Sequence, residues 1–138
     1  MKVQLSNGPS SDTSFKNCSN LASFDNMCSD SEVTSLNIDC FLSSFSFSEL
    51  GDVVGEILKK CRIGCNITIS EPDCDILFRM YTRDDLDLDY FNEVFFQGSK
   101  KCIMNTSKLE SMIPENFEVQ QKYISESSLS VLKLRRVK

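Results

Sequence analysis

The sequence contains no histidine, no long apolar run and no excess of positive charge. Without histidine the chain has no imidazole to serve as a general base, and no stretch approaches the roughly 20 apolar residues of a membrane-spanning helix. A net charge of -5 argues against nucleic-acid and anionic-membrane partners, since both select clustered cations. A solvated strand edge explains the few clustered basic residues, which are Lys133, Arg135, Arg136 and Lys138.

Seven cysteines occur without a recognisable secretory leader, because residues 1–6 lack the apolar run of a signal peptide. Free thiols in a reducing, cytoplasmic setting are therefore expected. Cys61, Cys65 and Cys74 do not have the spacing of a zinc site, and there is no histidine to complete one. We predict no bound metal ion.

Several short segments alternate apolar and polar residues, most clearly residues 2–6, 36–40 and 65–70. A side-chain period of two assigns the residues of a strand to two opposite faces. Strands covered by helices on both faces usually read as continuous apolar runs instead. The alternation therefore predicts a sheet with helices mainly on one face and a polar, uncovered face that carries Gln4, Asn37, Asp39, Asn66 and Thr68.

The order of elements predicts one α/β domain over residues 1–138, with about six mostly parallel strands and a C-terminal antiparallel hairpin. Strands are expected at 2–6, 21–25, 34–41, 65–71, 117–124 and 129–137. Helices are expected after Ser46 or Ser48, and near 76–81, 86–97 and 106–112. Segments 10–20 and 26–33 lack a helical stripe, so the first two crossovers are predicted to be loops or single turns. In the helix after Ser48, Gly51 and Gly55 are expected to mark close contact with the sheet, and Gly64 to cap its end.

The central part of the chain resembles class I S-adenosylmethionine-dependent methyltransferases. Residues 45–60 match a family helix that ends in a turn, here 61–64, and leads into a strand, here 65–71, with the acidic-Pro-Asp tail Glu71-Pro72-Asp73. Residues 87–98 and 114–119 are similar to small members of this family in tailed phages. The resemblance implies a reduced Rossmann-like methyltransferase fold, S-adenosylmethionine as cofactor, and the host cytoplasm as location if a phage encodes the chain.

At the start of the chain, residues 3–9 are similar to the glycine-containing strand and loop that approach the cofactor in this family. Only Gly8 keeps a family glycine, and the usual third strand is missing. The family's polar loop after its fourth strand corresponds here to Cys40, Ser43 and Ser44. The resemblance implies that the cofactor-binding residues are Ser6, Asn7, Gly8, Cys40 and, on the ribose hydroxyls, Asp25.

Two functions remain open at this point. One is an S-adenosylmethionine-dependent methyltransferase-like protein with an eroded site, an unassigned catalytic residue and an unassigned methyl acceptor. Methyl transfer depends mainly on positioning, so the missing imidazole does not exclude it. The alternative is a catalytically inactive, methyltransferase-derived assembly protein, which contacts a second copy or another protein through the uncovered sheet face or a strand edge.

Other motifs have simpler structural explanations. The spacing Asp85-x-Asp87-x-Asp89 suggests a calcium loop, but Tyr90 stands where that loop needs glycine. The aromatic residues 91, 95 and 96 have helical spacing and are expected in the core. Glu71 and Asp73 are an acid–base candidate pair, although the corresponding tail of the family is largely structural.

Overall fold

The computed structural model describes residues 1–8, 12–96, 98 and 100–138. The strands are β1 (Lys2–Ser6), β2 (Lys16–Cys18), β3 (Val33–Asp39), β4 (Cys61–Pro72), β5 (Phe117–Ile124) and β6 (Leu129–Arg136). The helices are α1 (Leu21–Met27), α2 (Leu50–Lys59), α3 (Cys74–Thr82), α4 (Leu88–Phe96) and α5 (Thr106–Ser111), with short 3-10 turns at Leu42–Ser44 and Phe47–Glu49. None of the described helices combines the length and the apolar character needed to cross a bilayer.

The six strands form one mixed sheet in the order β2-β1-β3-β4-β6-β5. Strands β2, β1, β3 and β4 are mutually parallel, whereas β6 is antiparallel to both β4 and β5. The predicted α/β class, the mostly parallel six-stranded sheet and the C-terminal antiparallel hairpin are confirmed.

The path of the chain explains which face the helices cover. From β2 to β3, from β3 to β4 and from β4 to β5, the chain moves in the same direction across the sheet. Right-handed crossovers in one direction place their helices on one face. Consistent with this rule, Phe24 of α1, Leu50 of α2 and Leu109 of α5 share one core with Val3 and Leu36 of the sheet.

The opposite crossover, from β1 to β2, moves the other way and contains no helix in its described residues 7, 8 and 12–15. The face on that side is a polar surface. Residues paired on neighbouring strands form one polar row across this face: Gln4, Asn37, Thr68, Lys133 and Gln121. A shallow depression of about 430 Å³ over this face is lined by strand residues: Gln4, Asn37, Ile38, Asp39, Thr68, Ser70, Tyr123 and Lys133.

The predicted strand over residues 21–25 is wrong, because this segment forms helix α1. Asn20 caps the helix by accepting a hydrogen bond from the amide of Ser23 at 2.8 Å, and Phe24 is its one buried side chain. The second strand lies earlier, at Lys16–Cys18, within a segment expected to be a loop. Three residues are too few to show a period, and their strand conformation depends on pairing with β1.

The predicted roles of three glycines are also wrong. Gly51 and Gly55 are exposed on α2, and a Cβ added at either position would meet no described atom within 4 Å, so neither marks close contact with the sheet. Gly64 does not cap α2, which ends at Lys59. It lies inside β4 with a φ of 84°, in an irregular stretch where the pairing of β4 with β3 shifts register. Glycine tolerates this left-handed conformation without strain.

Candidate functional site

The carboxyl ends of β1 and β3 lie at a topological switch point of the sheet, where this architecture is expected to form a ligand crevice. The chain leaves β1 toward β2 on one side and leaves β3 toward β4 on the other, so the direction of winding changes between these two neighbouring strands. In open α/β sheets ligands bind outside the carboxyl ends of the strands at such a switch point. Ser6, Asn7 and Gly8 come at the end of β1, and Cys40 follows β3. We call this place the switch-point crevice.

Hydrogen bonds join the loops that border the crevice. Ser6 Oγ lies 2.8 Å from the carbonyl oxygen of Gly8 and 2.9 Å from Oδ1 of Asn17, and Asn17 Nδ2 donates to the same carbonyl at 3.1 Å. Asn7 Nδ2 donates to the carbonyl oxygen of Cys40 at 3.5 Å. Four of the five predicted site residues therefore come together. Asn17 was not predicted, because its part in the site depends on the pairing of β2 with β1.

Gly8 leaves its backbone accessible. The residue is exposed, its φ is not left-handed, and a Cβ added there would meet no atom of the described residues within 4 Å. The fold itself therefore does not require glycine at this position. A ligand that approaches the backbone closely at Gly8 would require glycine there.

Cys40 is held in a strained, half-buried position above β3. Its φ of 48° is left-handed, which is uncommon outside glycine, and its amide donates to the carbonyl of Ser70 at 2.8 Å. Burial, followed by the negative charges of Glu71 and Asp39, raises the pKa of the thiol to about 12. The Cys40 thiol is therefore neutral at physiological pH and is a poor nucleophile.

Asp25 does not lie in the crevice. It belongs to α1, and its carboxylate pairs with Lys60 Nζ at 3.6 Å, next to the first residue of β4. This contact is at the amino-terminal edge of the parallel strands, opposite the crevice. The predicted location at the end of a strand is wrong, because a helix carries the chain back across the sheet. In the pairing of β1 with β3, the residue beside Ser6 is Asp39, an exposed acidic residue at the end of β3.

Glu71 is a fully buried carboxyl group at the end of β4. The amide of Leu42 donates to its Oε1 at 2.6 Å, whereas Oε2 and the hydroxyl of Ser43 have no hydrogen-bond partner among the described residues. Both side chains line a cavity of about 10 Å³, roughly one water in size. Burial raises the pKa of Glu71 to about 8, against the opposing effect of the Leu42 amide. Glu71 is therefore largely protonated at neutral pH. Its hydrogen bond with the amide of Leu42 holds the loop after β3 in place.

Asp73 has a structural role as the N-cap of α3. Its Oδ1 accepts from the amide of Ile76 at 3.0 Å, and its Oδ2 accepts from the hydroxyls of Ser130 and, at 3.4 Å, Thr106. Because these bonds use both carboxylate oxygens, the geometry does not favour the acid–base pair considered for Glu71 and Asp73.

The cysteines are free thiols. Cys61 and Cys65 are both buried and contact each other on either side of the irregular stretch of β4, and their mutual hydrogen bond with burial raises the pKa of Cys61. Over residues 1–8, 12–96, 98 and 100–138, no group of three or more His, Cys, Asp or Glu side chains is arranged to hold a metal ion.

Comparison with known proteins informs the fold but not the activity. No protein-family model matches the chain, and no curated protein matches its sequence. A solved structure described as "Conversion of a Disulfide Bond into a Thioacetal Group during Echinomycin Biosynthesis" is similar, with a TM-score of 0.54 and 12% identity over 89% of this chain and 55% of that chain. The chain thus spans about half the length of that protein. At this identity the similarity shows a shared α/β architecture alone.

Proposed function

We propose that this chain is a reduced, Rossmann-like methyltransferase domain that binds S-adenosylmethionine in the switch-point crevice but has lost acid–base catalysis. The observation that carries the proposal is the convergence of the Ser6–Gly8 turn and Cys40 at the one place where the winding of the sheet reverses. That convergence follows from the topology and does not depend on the resemblance in sequence. The two arguments agree on the same residues.

The residues around the crevice suit a cofactor of this kind in two respects. The open space at Gly8 lets a ligand approach the backbone, and the exposed carboxylate of Asp39 offers two acceptors to ribose hydroxyls. Asn7 adds a side-chain amide at the rim. When bound, the cofactor would supply an electrophilic methyl group on a sulfonium.

The same residues support binding more than catalysis. A general base at neutral pH needs a pKa near 7 and access to the reacting proton. The Cys40 thiol has a pKa of about 12, and Glu71 is sealed in the interior. Neither residue therefore suits that role, and the proposed activity depends on positioning, which serves an acceptor that is already nucleophilic.

Calorimetric titration with S-adenosylmethionine and with its demethylated product tests this proposal. We expect saturable binding of both, and a loss of about tenfold or more in affinity for Gly8→Ala, because the added methyl group would occupy the space of the ligand. Asp25→Ala is the matched control, because its carboxylate lies at the other edge of the sheet, and its affinity should equal that of the wild type. Absence of heat with both ligands, or equal affinity of Gly8→Ala and wild type, would contradict cofactor binding in the crevice.

The uncovered sheet face favours a second candidate function, contact with another copy of the chain. Half-buried Gln4, Asn37 and Thr68 form a continuous polar surface without a helix over it among the described residues. Interfaces are on average about as polar as the remaining surface, so this composition is compatible with one. Light scattering at high protein concentration should then give a dimer that Thr68→Arg dissociates. A monomer at every concentration would exclude self-association through this face.

A further inference from the structure

Cys61 and Cys65 form a pair of buried thiols at the start of β4, which we call the β4 thiol pair. Both side chains belong to the common core and are at most 1% exposed. The Cys61 thiol donates a hydrogen bond to the sulfur of Cys65. Two sulfur atoms in contact can form a disulfide with little change in the surrounding fold.

A bulge in β4 brings these two residues together. From Cys61 to Asn66, β4 advances by five residues while its partner β3 advances by only two. Residues 62–64 therefore project from the ladder, and Gly64 takes the left-handed φ of 84° within them. Two strand residues span about 7 Å. Cys65, which comes directly before Asn66, therefore lies beside Cys61 although four positions separate them in the sequence.

The surroundings of the pair favour ionisation of Cys65. The hydrogen bond from Cys61, followed by the positive charges of the N-terminal amine and Arg136, lowers the pKa of the Cys65 thiol against the opposing effect of burial. Arg136 is held beside the pair, because its guanidinium donates to the carbonyl oxygen of Cys61. Ionisation gives up only a weak hydrogen bond, which the Cys65 thiol donates to the carbonyl of Asn66 at 3.6 Å. The thiolate is the nucleophilic form of cysteine, so Cys65 is the attacking residue.

We propose that the β4 thiol pair is a reversible oxidation site at which a peroxide converts Cys61 and Cys65 into a disulfide. The Cys65 thiolate attacks one peroxide oxygen, so an S–O bond forms, the O–O bond breaks, and the released hydroxide takes the Cys65 proton to give water. Cys61 then attacks the sulfur of this sulfenic acid. The S–S bond forms, the S–O bond breaks, and the hydroxyl leaves with the Cys61 proton as a second water. The two thiols lose two electrons and the peroxide gains them.

The burial of the pair limits which oxidants can reach it. The intervening residues Arg62 and Ile63 are exposed, so the segment that separates the two cysteines in sequence lies at the surface. A small oxidant such as hydrogen peroxide would enter when this segment moves locally, without unfolding of the sheet. The reaction should therefore be slower in the folded protein than in the unfolded chain, but it should give one defined product.

Peptide mapping after overnight treatment of the folded protein with hydrogen peroxide tests the proposal. Remaining thiols are alkylated before digestion. Trypsin releases residues 61–62 and 63–79 as separate peptides, so the disulfide would hold them together until dithiothreitol is added. The second peptide also contains Cys74, so the measurement uses Cys74→Ser protein, in which only Cys65 of that peptide can supply the link. We expect the linked pair to be the main disulfide product.

Variants with a matched control identify the two roles. Cys65→Ser should abolish the link. Cys61→Ser keeps a hydroxyl donor beside Cys65 but has no second thiol, so Cys65 should stop at the sulfenic acid, which dimedone labels. Absence of this label would contradict Cys65 as the attacking residue. Cys18→Ser is the control, because Cys18 is also a buried thiol and its loss should leave the link unchanged. Circular dichroism and thermal melting of each variant establish that it is folded.

Three outcomes would overturn the proposal. The first is absence of the linked peptides after treatment of the folded protein. The second is a link from Cys61 to Cys28, another buried thiol close to it, in place of the link to Cys65. The third is the same mixture of disulfides in the folded protein and in concentrated guanidinium chloride, because the fold would then not select the pair. No cofactor takes part in these reactions, so their result is independent of the switch-point crevice.

Discussion

Replacing Glu71 by glutamine should stabilise the protein at neutral and alkaline pH. In the folded state burial raises the pKa of this carboxyl group to about 8, whereas its ordinary value is 4.5. The folded state therefore retains a proton that the unfolded state releases. Its contribution to stability is complete below pH 4.5, decreases as the pH rises, and is lost once the pH passes about 8. A glutamine side chain needs no proton and avoids this loss.

The size of the effect follows from the two pKa values. One pH unit corresponds to 1.36 kcal/mol, so the interval from 4.5 to 7 is worth about 3 kcal/mol of unfolding free energy in the wild type. Glutamine keeps an oxygen to accept the amide of Leu42. Its NH2 group replaces one carboxylate oxygen next to Ser43, whose hydroxyl can accept from it. Glu71→Gln should therefore be more stable than the wild type at pH 7 by about 3 kcal/mol.

Urea denaturation at pH values between 5 and 9 measures this difference. The unfolding free energy of the wild type should fall steadily up to pH 8, whereas that of Glu71→Gln should be much less dependent on pH. Glu118→Gln is the control, since this glutamate is exposed on β5 and the variant should follow the wild-type curve. Parallel curves for Glu71→Gln and wild type, or a wild type that gains stability between pH 5 and 8, would refute a protonated, buried Glu71.

Other substitutions test the backbone and the caps, all by urea denaturation. Gly51→Ala and Gly55→Ala should each stabilise the protein by about 1 kcal/mol, because both positions are helical and open; destabilisation would indicate a close contact after all. Asp84→Gly should stabilise the protein by about 1 kcal/mol, because a φ of 59° strains a residue that has a side chain. An unchanged midpoint of urea denaturation would argue against strain at this position. Asp73→Ala should cost about 2 kcal/mol through loss of the α3 cap, whereas Asp75→Ala in the first turn should cost less.

The strands with a clear alternation of apolar and polar residues were predictable from the sequence. Residues 2–6 and 117–124 form strands over the predicted ranges, and no helix among the described residues covers the polar face that contains Asn37 and Thr68. Alternation works because it reports burial on one side of a sheet directly. The early crossovers were less predictable. Helix α1 buries only Phe24, so it leaves no periodic stripe to detect.

The candidate site was predictable only where it follows from strand ends. Ser6 and Cys40 meet because parallel neighbours bring their carboxyl ends to the same edge. Asn17 and Asp39 depend on strand pairing and register, which composition does not reveal. Of the three aromatic residues of α4 expected in the core, Phe95 is buried and Phe91 is half-buried, whereas Phe96 is 66% exposed. A helical stripe identifies an apolar face but not what covers it. The cofactor-binding roles themselves stay predictions.

The last strand in the sequence occupies an interior place in the sheet. Strand β6 lies between β4 and β5 and contributes Leu132 and Leu134 to the common core. During synthesis the ribosome therefore releases β1 to β5 before β6, the strand that joins β5 to the rest of the sheet. Until β6 emerges, the edge of β4 that it pairs with has no partner strand. The nascent chain cannot complete its native core before residue 134 leaves the exit tunnel, so the earlier strands should need protection from aggregation until then.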